Sequence, residues 1–222
     1  MAQELAIPAV AYPRLPGQAA SVEGFVPQGW ILEAQASGDL NRDGHADLAF
    51  VLRQNDPKNI VENSGHGENP FNTNPRILAV AFRNGPAGDY VLHVENRTLI
   101  PRPTIPTADD PLGTQGVKIE RGGLRVQLSW WMSVGGWETF TATHIFQYRN
   151  SRFELIGYDR YDTHRGSGDT RETSVNYLTG KMKITTGNIA RDATKVTWRA
   201  LPRRAPLTLD AMGDGLEFHP ED

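Results

Sequence analysis

Leu32-Glu33-Ala34-Gln35-Ala36-Ser37-Gly38-Asp39-Leu40-Asn41-Arg42-Asp43-Gly44-His45-Ala46-Asp47-Leu48-Ala49-Phe50-Val51-Leu52 reads as a strand, an oxygen-rich loop and a second strand. Leu32, Ala34 and Ala36 alternate with Glu33, Gln35 and Ser37, the period of a half-buried β-strand. The run from Leu48 to Leu52 is apolar without a break, as suits a central strand covered on both faces. Between them, Asp39, Asn41, Asp43 and Asp47 place side-chain oxygens at relative positions 1, 3, 5 and 9. Gly44 at position 6 permits a sharp turn, and the His45 carbonyl stands at position 7. Calcium takes six to eight hard oxygen ligands at about 2.3–2.6 Å, and this alternation turns them into one concavity. The bland alternative is an Asx-rich turn that needs no metal. An EF-hand would carry a bidentate Glu at position 12, but Phe50 stands there, inside a strand. The loop therefore joins two strands, and with no paired helix to open, a structural calcium is favoured over a sensor.

The same β reading extends outward. Residues 77–82 and 90–94 flank Asn84-Gly85-Pro86-Ala87-Gly88, whose Asn and Gly supply turn dihedrals. Residues 117–119 and 124–131 surround Arg121-Gly122-Gly123, and residues 139–148 and 153–158 meet at Arg149-Asn150-Ser151-Arg152. Residues 173–178 and 181–186 turn at Thr179-Gly180, and residues 195–198 add a last strand. Roughly ten strands with short turns and no ordinary amphipathic helix predict an all-β fold. Its form is an antiparallel meander, propeller-like or sandwich, with a calcium loop between two strands. Residues 1–24 lack a period and read as an extended tail or strap. Residues 25–200 form one β domain, with the calcium-loop subregion at about 30–95, and residues 201–222 a C-terminal tail. Two longer loops, 55–75 and 101–116, are rich in Pro, Gly and Asn; loops of that length are usually functional or disordered.

The chain has 222 residues, of which 38% are hydrophobic and 22% charged, so a packed core is expected. It has no Cys, which excludes disulfides, Cys-based zinc sites and thiol nucleophiles. No run approaches the ~18 apolar residues of a membrane span. Residues 1–111 carry 8 basic and 13 acidic side chains, net −5; residues 112–222 carry 15 and 13, net +2. The basic excess is scattered, so no nucleic-acid partner is expected.

The run from Gly38 to Val51 resembles the calcium-binding repeat of the integrin α-subunit propeller, the FG-GAP or VCBS-like repeat also found in bacterial exported proteins. In that family the loop precedes a buried strand and a hairpin resembling residues 77–90. The resemblance implies Asp39, Asn41, Asp43 and Asp47 as side-chain ligands of Ca2+ and His45 as a backbone ligand. It covers about residues 30–95 in one clear copy, whereas propellers repeat the unit around a ring. The whole chain also resembles uncharacterised bacterial exported, lipoprotein-type proteins, which implies a periplasmic or secreted location, lipid-anchored in a full-length precursor. Loops of this type with dissociation constants near 10⁻⁴–10⁻³ M suit such a compartment.

No zincin motif, phosphate loop or dinucleotide fingerprint is present. The densest other polar cluster is Asp159-Arg160-Tyr161-Asp162-Thr163-His164-Arg165, where His164 with Asp159 or Asp162 can form an acid–base pair. The alternative is a hydrogen-bonded strand end. His66 lies in the first long loop as a candidate ligand or base, and His93 and His144 read as packed strand residues. In Trp130-Trp131-Met132-Ser133-Val134-Gly135-Gly136-Trp137, alternation sends the paired Trp residues to opposite faces. Trp131 and Trp137 are candidates for an aromatic platform, against ordinary core packing. Asn96-Arg97-Thr98 fits the N-glycosylation pattern. These readings converge on an exported calcium-binding β domain that binds a protein or glycan partner through His66, Trp131 and Trp137. The rivals are a hydrolase using Asp159, Asp162 and His164, and an envelope inhibitor or immunity protein.

Overall fold

The computed structural model describes residues 5–113 and 116–221; residues 1–4 of the expected tail and 114–115 of the second long loop lie outside it. In chain order the strands are β1 (Gln18–Ala19), β2 (Trp30–Gly38), β3 (Asp47–Gln54), β4 (Ile60–Val61), β5 (Phe71–Asn72), β6 (Arg76–Arg83) and β7 (Tyr90–Asn96). Then follow β8 (Val117–Glu120), β9 (Gly123–Trp130), β10 (Glu138–Arg149), β11 (Arg152–His164), β12 (Asp169–Asn176), β13 (Lys181–Asn188) and β14 (Arg191–Ala200). Helical structure among the described residues is limited to three short 3₁₀ turns. The fold is all-β and every strand pairing is antiparallel.

One sheet runs β1-β7-β6-β3-β2, and the second is a pure meander from β8 to β14. Their shared core joins Ala49, Val51, Leu78 and Val80 of the first sheet to Leu124, Val126, Leu128 and Phe146 of the second. The opposite face of the first sheet presents Trp30, Leu48, Phe50, Leu52 and Ile77, and is covered by Leu15, Val22 and Phe25. That double cover explains the unbroken apolar run of β3, all of it buried from Asp47 to Leu52. The aperiodic N-terminal residues therefore form a strap built into the fold. Phe25, 0% exposed, stacks on Phe50 with ring centroids 5.3 Å apart.

The turns follow their residues. Arg121-Gly122 and Asn150-Ser151 all have positive φ (54°, 69°, 50° and 62°), the mirror-image turn that matches strand twist. The C-terminal segment departs from its reading as a tail. Leu209 and Met212 are buried in the shared core, and Phe218 packs against it. Gly215 passes so close to the β-core that an added Cβ would lie 2.6 Å from Leu128 Cδ1 and 2.7 Å from the Leu99 carbonyl. Only glycine permits that approach. The last strand is also longer than the four residues read from sequence, because Arg191–Ala200 is exposed on both faces and has no alternation to announce it.

The second sheet curls into a half-barrel. A bulge lies between Ile145 and Phe146 where β10 meets β11, and another between Thr186 and Asn188 where β13 meets β14. Bulges bend the strand and increase its twist, which helps close the sheet around its concave side.

Candidate functional site

The pairing registers line up the concave wall in rows. The lowest row is His144, Tyr158, Val175 and Met182, and the next includes Ala142, Arg160, Thr173 and Ile184. Ala142, Tyr158, Val175, Met182 and Ile184 are buried there beneath Phe218. Above them stand Asp162, Arg171, Thr186 and Lys195, and the last row holds His164, Asp169, Asn188 and Arg191. The result is a trough of about 1080 Å³, apolar and closed at the floor and polar at the mouth.

Most charges in the trough are matched. Arg160 donates to Asp162 at 2.7 Å and lies 3.6 Å above the centre of the Phe140 ring. Burial works against its charge, but the Asp162 carboxylate outweighs that and its pKa is raised. Arg199 pairs with Glu221 at 3.0 Å. Asp169 accepts the Ser167 hydroxyl at 2.7 Å and the Asn188 amide at 2.9 Å; these bonds, with Arg191 and His164 nearby, hold its pKa down. Among the described residues, Arg171 and Lys195 have no carboxylate partner.

His144 lies at the floor, 0% exposed, with the Tyr158 and Phe218 rings 5.1 and 5.4 Å away. Neither ring nitrogen makes a hydrogen bond of normal geometry. Burial pushes its pKa down to about 4, only partly offset by the Val126 carbonyl opposite. The unfolded chain takes up this proton near pH 6.5 and the native chain only near 4, so acid favours unfolding across that window. Acidification from pH 6.5 to 4 is expected to cost about 3 kcal/mol through this residue. His144→Leu should flatten that part of a stability-versus-pH curve from urea unfolding; an unchanged slope would refute the assignment.

The structure divides the expected acid–base cluster. Strand alternation sends Asp159 to the face opposite Asp162 and His164, where it accepts the Ser174 hydroxyl at 2.7 Å. Asp162 is engaged by Arg160. His164 Nδ1 accepts the Ser167 N–H at 3.0 Å, while the Ser167 hydroxyl donates to Asp169. The order is therefore His–Ser–Asp with serine in the middle, and the carboxylate orients the hydroxyl rather than the imidazole. A Ser–His–Asp relay needs the imidazole between the other two.

Trp137 and His164, separate candidates in the sequence, come together: their rings stack with centroids 6.4 Å apart and 22° between planes. Trp137 remains 66% exposed; it is not part of the trough's lining but rests against His164, which is. Arg165 fastens this loop, donating to the Met132 and Gly136 carbonyls with its guanidinium 5.1 Å from the Trp131 ring centre. His66 sits elsewhere, exposed in a loop tied to the second long loop by the Glu68 N–H on the Pro106 carbonyl (2.8 Å), and it does not line the trough. Arg171, Lys195 and Asn188 were not legible as site residues. Their only sequence signal is alternation, which acquires meaning once the register is known.

The Asp39–Asp47 loop is a ladder of side chain to backbone bonds. Asp39 accepts the Arg42 and Gly44 N–H groups at 2.6 and 3.0 Å, Asn41 that of Asp43 at 3.0 Å, and Asp43 that of His45 at 2.8 Å. Gly44 has φ +85°, the sharp turn expected of it, and Arg42 joins it at +67°. Asp43 is held below the usual carboxylate range by the His45 N–H. Asp47 is fully buried and accepts three backbone N–H groups, from Leu40 (2.8 Å), Asn41 (3.3 Å) and Arg83 (3.0 Å). Its pKa is nevertheless raised, first by burial and also by the Asp43 charge. Among the described residues no three His, Cys, Asp or Glu side chains converge as metal ligands. The donor set is nonetheless all oxygen, and the repulsion between Asp43 and Asp47 is what a cation would relieve.

Compared with protein-family models, curated proteins and solved structures, the chain matches none of them.

Proposed function

We propose that this chain is an exported binding module whose recognition surface is the trough of the curled sheet and whose Asp39–Asp47 loop holds one structural Ca2+. The observation that carries the reading is the trough itself: about 1080 Å³, polar at its mouth, with an exposed Trp137 beside it. Concave sites with a few convergent polar groups are where small ligands bind. The hydrolase alternative, built on Asp159, Asp162 and His164, is less favoured, since Asp159 lies on the opposite face from His164 and Asp162 is occupied by Arg160.

In the loop, Asp39, Asn41 and Asp43 would hold the ion through their outward lone pairs, with the His45 carbonyl. Asp47, its oxygens engaged by three N–H groups, anchors the loop to β3 and β6 from below. The ion would supply a fixed positive charge among these carboxylates; it would stiffen the β2–β3 hairpin without taking part in ligand chemistry. Thermal unfolding in EDTA and in calcium tests this. At 100 times its dissociation constant a ligand stabilises by about 2.7 kcal/mol, a Tm rise of roughly 5–10 °C at this chain length. The rise should vanish in Asp43→Ala, whose Tm in EDTA should match the wild type. No rise in the wild type sinks the calcium part.

The recognition part is tested separately by a thermal-shift panel of glycans, peptides and small organic anions. Thr186, exposed midway along the trough wall between Arg171 and Lys195, can be replaced without touching the core. Thr186→Trp should abolish the shift given by every true ligand while leaving Tm alone. Ligands that bind equally well to the plugged variant place recognition elsewhere.

A further inference from the structure

Building on the trough as the recognition surface, we infer that its ligand is an acidic carbohydrate, with the acid group seated by Arg171, Lys195 and Arg191 and a sugar ring against Trp137. Arg171 and Lys195 stand in one row of the wall with Thr186 between them. Two strand spacings put their Cα atoms about 10 Å apart, within converging reach of two long side chains. Arg191 stands in the row above, opposite Asn188.

Among the described residues Arg171 and Lys195 have no ion pair, while Arg191 lies near the Asp169 carboxylate. Arg160 is paired with Asp162, and Glu221 with Arg199, while Asp169 is hydrogen-bonded by Ser167 and Asn188. The remaining carboxylate, Glu138, belongs to β10 on the opposite side of the trough. The Arg171 guanidinium and the Lys195 ammonium on the β12–β14 wall are thus left unpaired, the donors that seat carboxylate or sulfate oxygens.

What surrounds the cations defines the rest of the ligand. Thr170, Thr186, Thr194 and Asn188 line the same wall and offer hydroxyl and amide partners to an alcohol-rich molecule. Trp137, 66% exposed, lies beyond the lining but stacks on His164 of the last row, and so offers a flat apolar face next to the trough. An acyl chain has nowhere to go, because Met182 and Ile184 at the floor are only 1% and 4% exposed beneath Phe218. An acidic sugar satisfies the cations, the hydroxyl partners and the ring face together.

The test is calorimetric titration of the intact chain with a galacturonate trisaccharide, its neutral galactose counterpart and inorganic sulfate. The acidic trisaccharide should bind and the neutral one should be at least about tenfold weaker, the loss expected when charge-assisted bonds go unmade. Arg171→Gln with Lys195→Gln, both exposed positions, should weaken the acidic ligand by a similar factor at unchanged Tm. Trp137→Ala should weaken the trisaccharide and leave any sulfate binding untouched. Equal binding of acidic and neutral sugars, or acidic binding that survives the double substitution, overturns the inference. So does sulfate binding as tightly as the trisaccharide, or no binding of the trisaccharide at all. A neutral or peptide ligand found by the panel and blocked by Thr186→Trp would leave the recognition surface standing while this inference falls; no blocked ligand at all would remove both.

Discussion

Asn96→Ala is expected to lower the free energy of unfolding by about 3–5 kcal/mol, because it breaks a buried four-bond clasp and leaves its partners dry. The Asn96 side chain, in a residue 4% exposed, donates to the Leu209 and Met212 carbonyls at 2.7 and 2.9 Å. Its oxygen accepts the Thr98 and Leu99 N–H groups at 2.9 and 2.6 Å. All of its capacity is thus spent on fixing the C-terminal segment to the end of β7. Urea unfolding of the variant should show the loss, and limited proteolysis should show new cleavage between residues 201 and 212. A loss under about 1 kcal/mol would mean that water replaces the clasp at little cost. The same geometry bears on the Asn96-Arg97-Thr98 sequon: a glycan on this nitrogen would remove one of its two N–H donors and bring a bulky group into a site only 4% exposed, which the native packing does not accommodate.

The second large effect is expected at Asp47. Alanine there leaves the Leu40, Asn41 and Arg83 N–H groups without their acceptor, at positions where the carboxylate is wholly enclosed. Hydrogen bonds to a charged group contribute more than neutral ones, so the expected loss is about 4 kcal/mol, in EDTA as well as in calcium. That independence separates Asp47 from Asp43, whose replacement should matter only when calcium is present. Equilibrium unfolding of both variants with and without the ion checks the distinction; an Asp47→Ala defect confined to calcium would make Asp47 a ligand and not an anchor. Because burial raises the Asp47 pKa, the native state holds its proton more readily than the unfolded chain. Through this group stability therefore falls as pH rises from the ordinary carboxylate value through the raised one, the reverse of the His144 effect.

The strands were legible because their turns were. Gly122, Asn150 and Gly180 all have positive φ, and residues of those types between alternating runs announce hairpins. The double cover of β3 was equally plain in Leu48–Leu52. The terminal segments were not, because Leu15, Val22 and Phe25, like Leu209, Met212 and Phe218, pack as isolated anchors from irregular backbone. No period marks such anchors. The candidate site divides in the same way. The Asp39–Asp47 loop is local and its turn geometry followed from its spacing. The trough is assembled across five strands, so Arg171 and Lys195 meet only through two registers. Within β11, Asp159 and His164 are an odd number of residues apart, and in a strand that places them on opposite faces.

The burial of Leu209, Met212 and Phe218 also bears on when the molecule can take shape. Both the shared core and the floor of the trough stay open until the segment around residue 218 has been synthesised. During translation the nascent chain lacks the residues that seal its interior until this last segment has emerged.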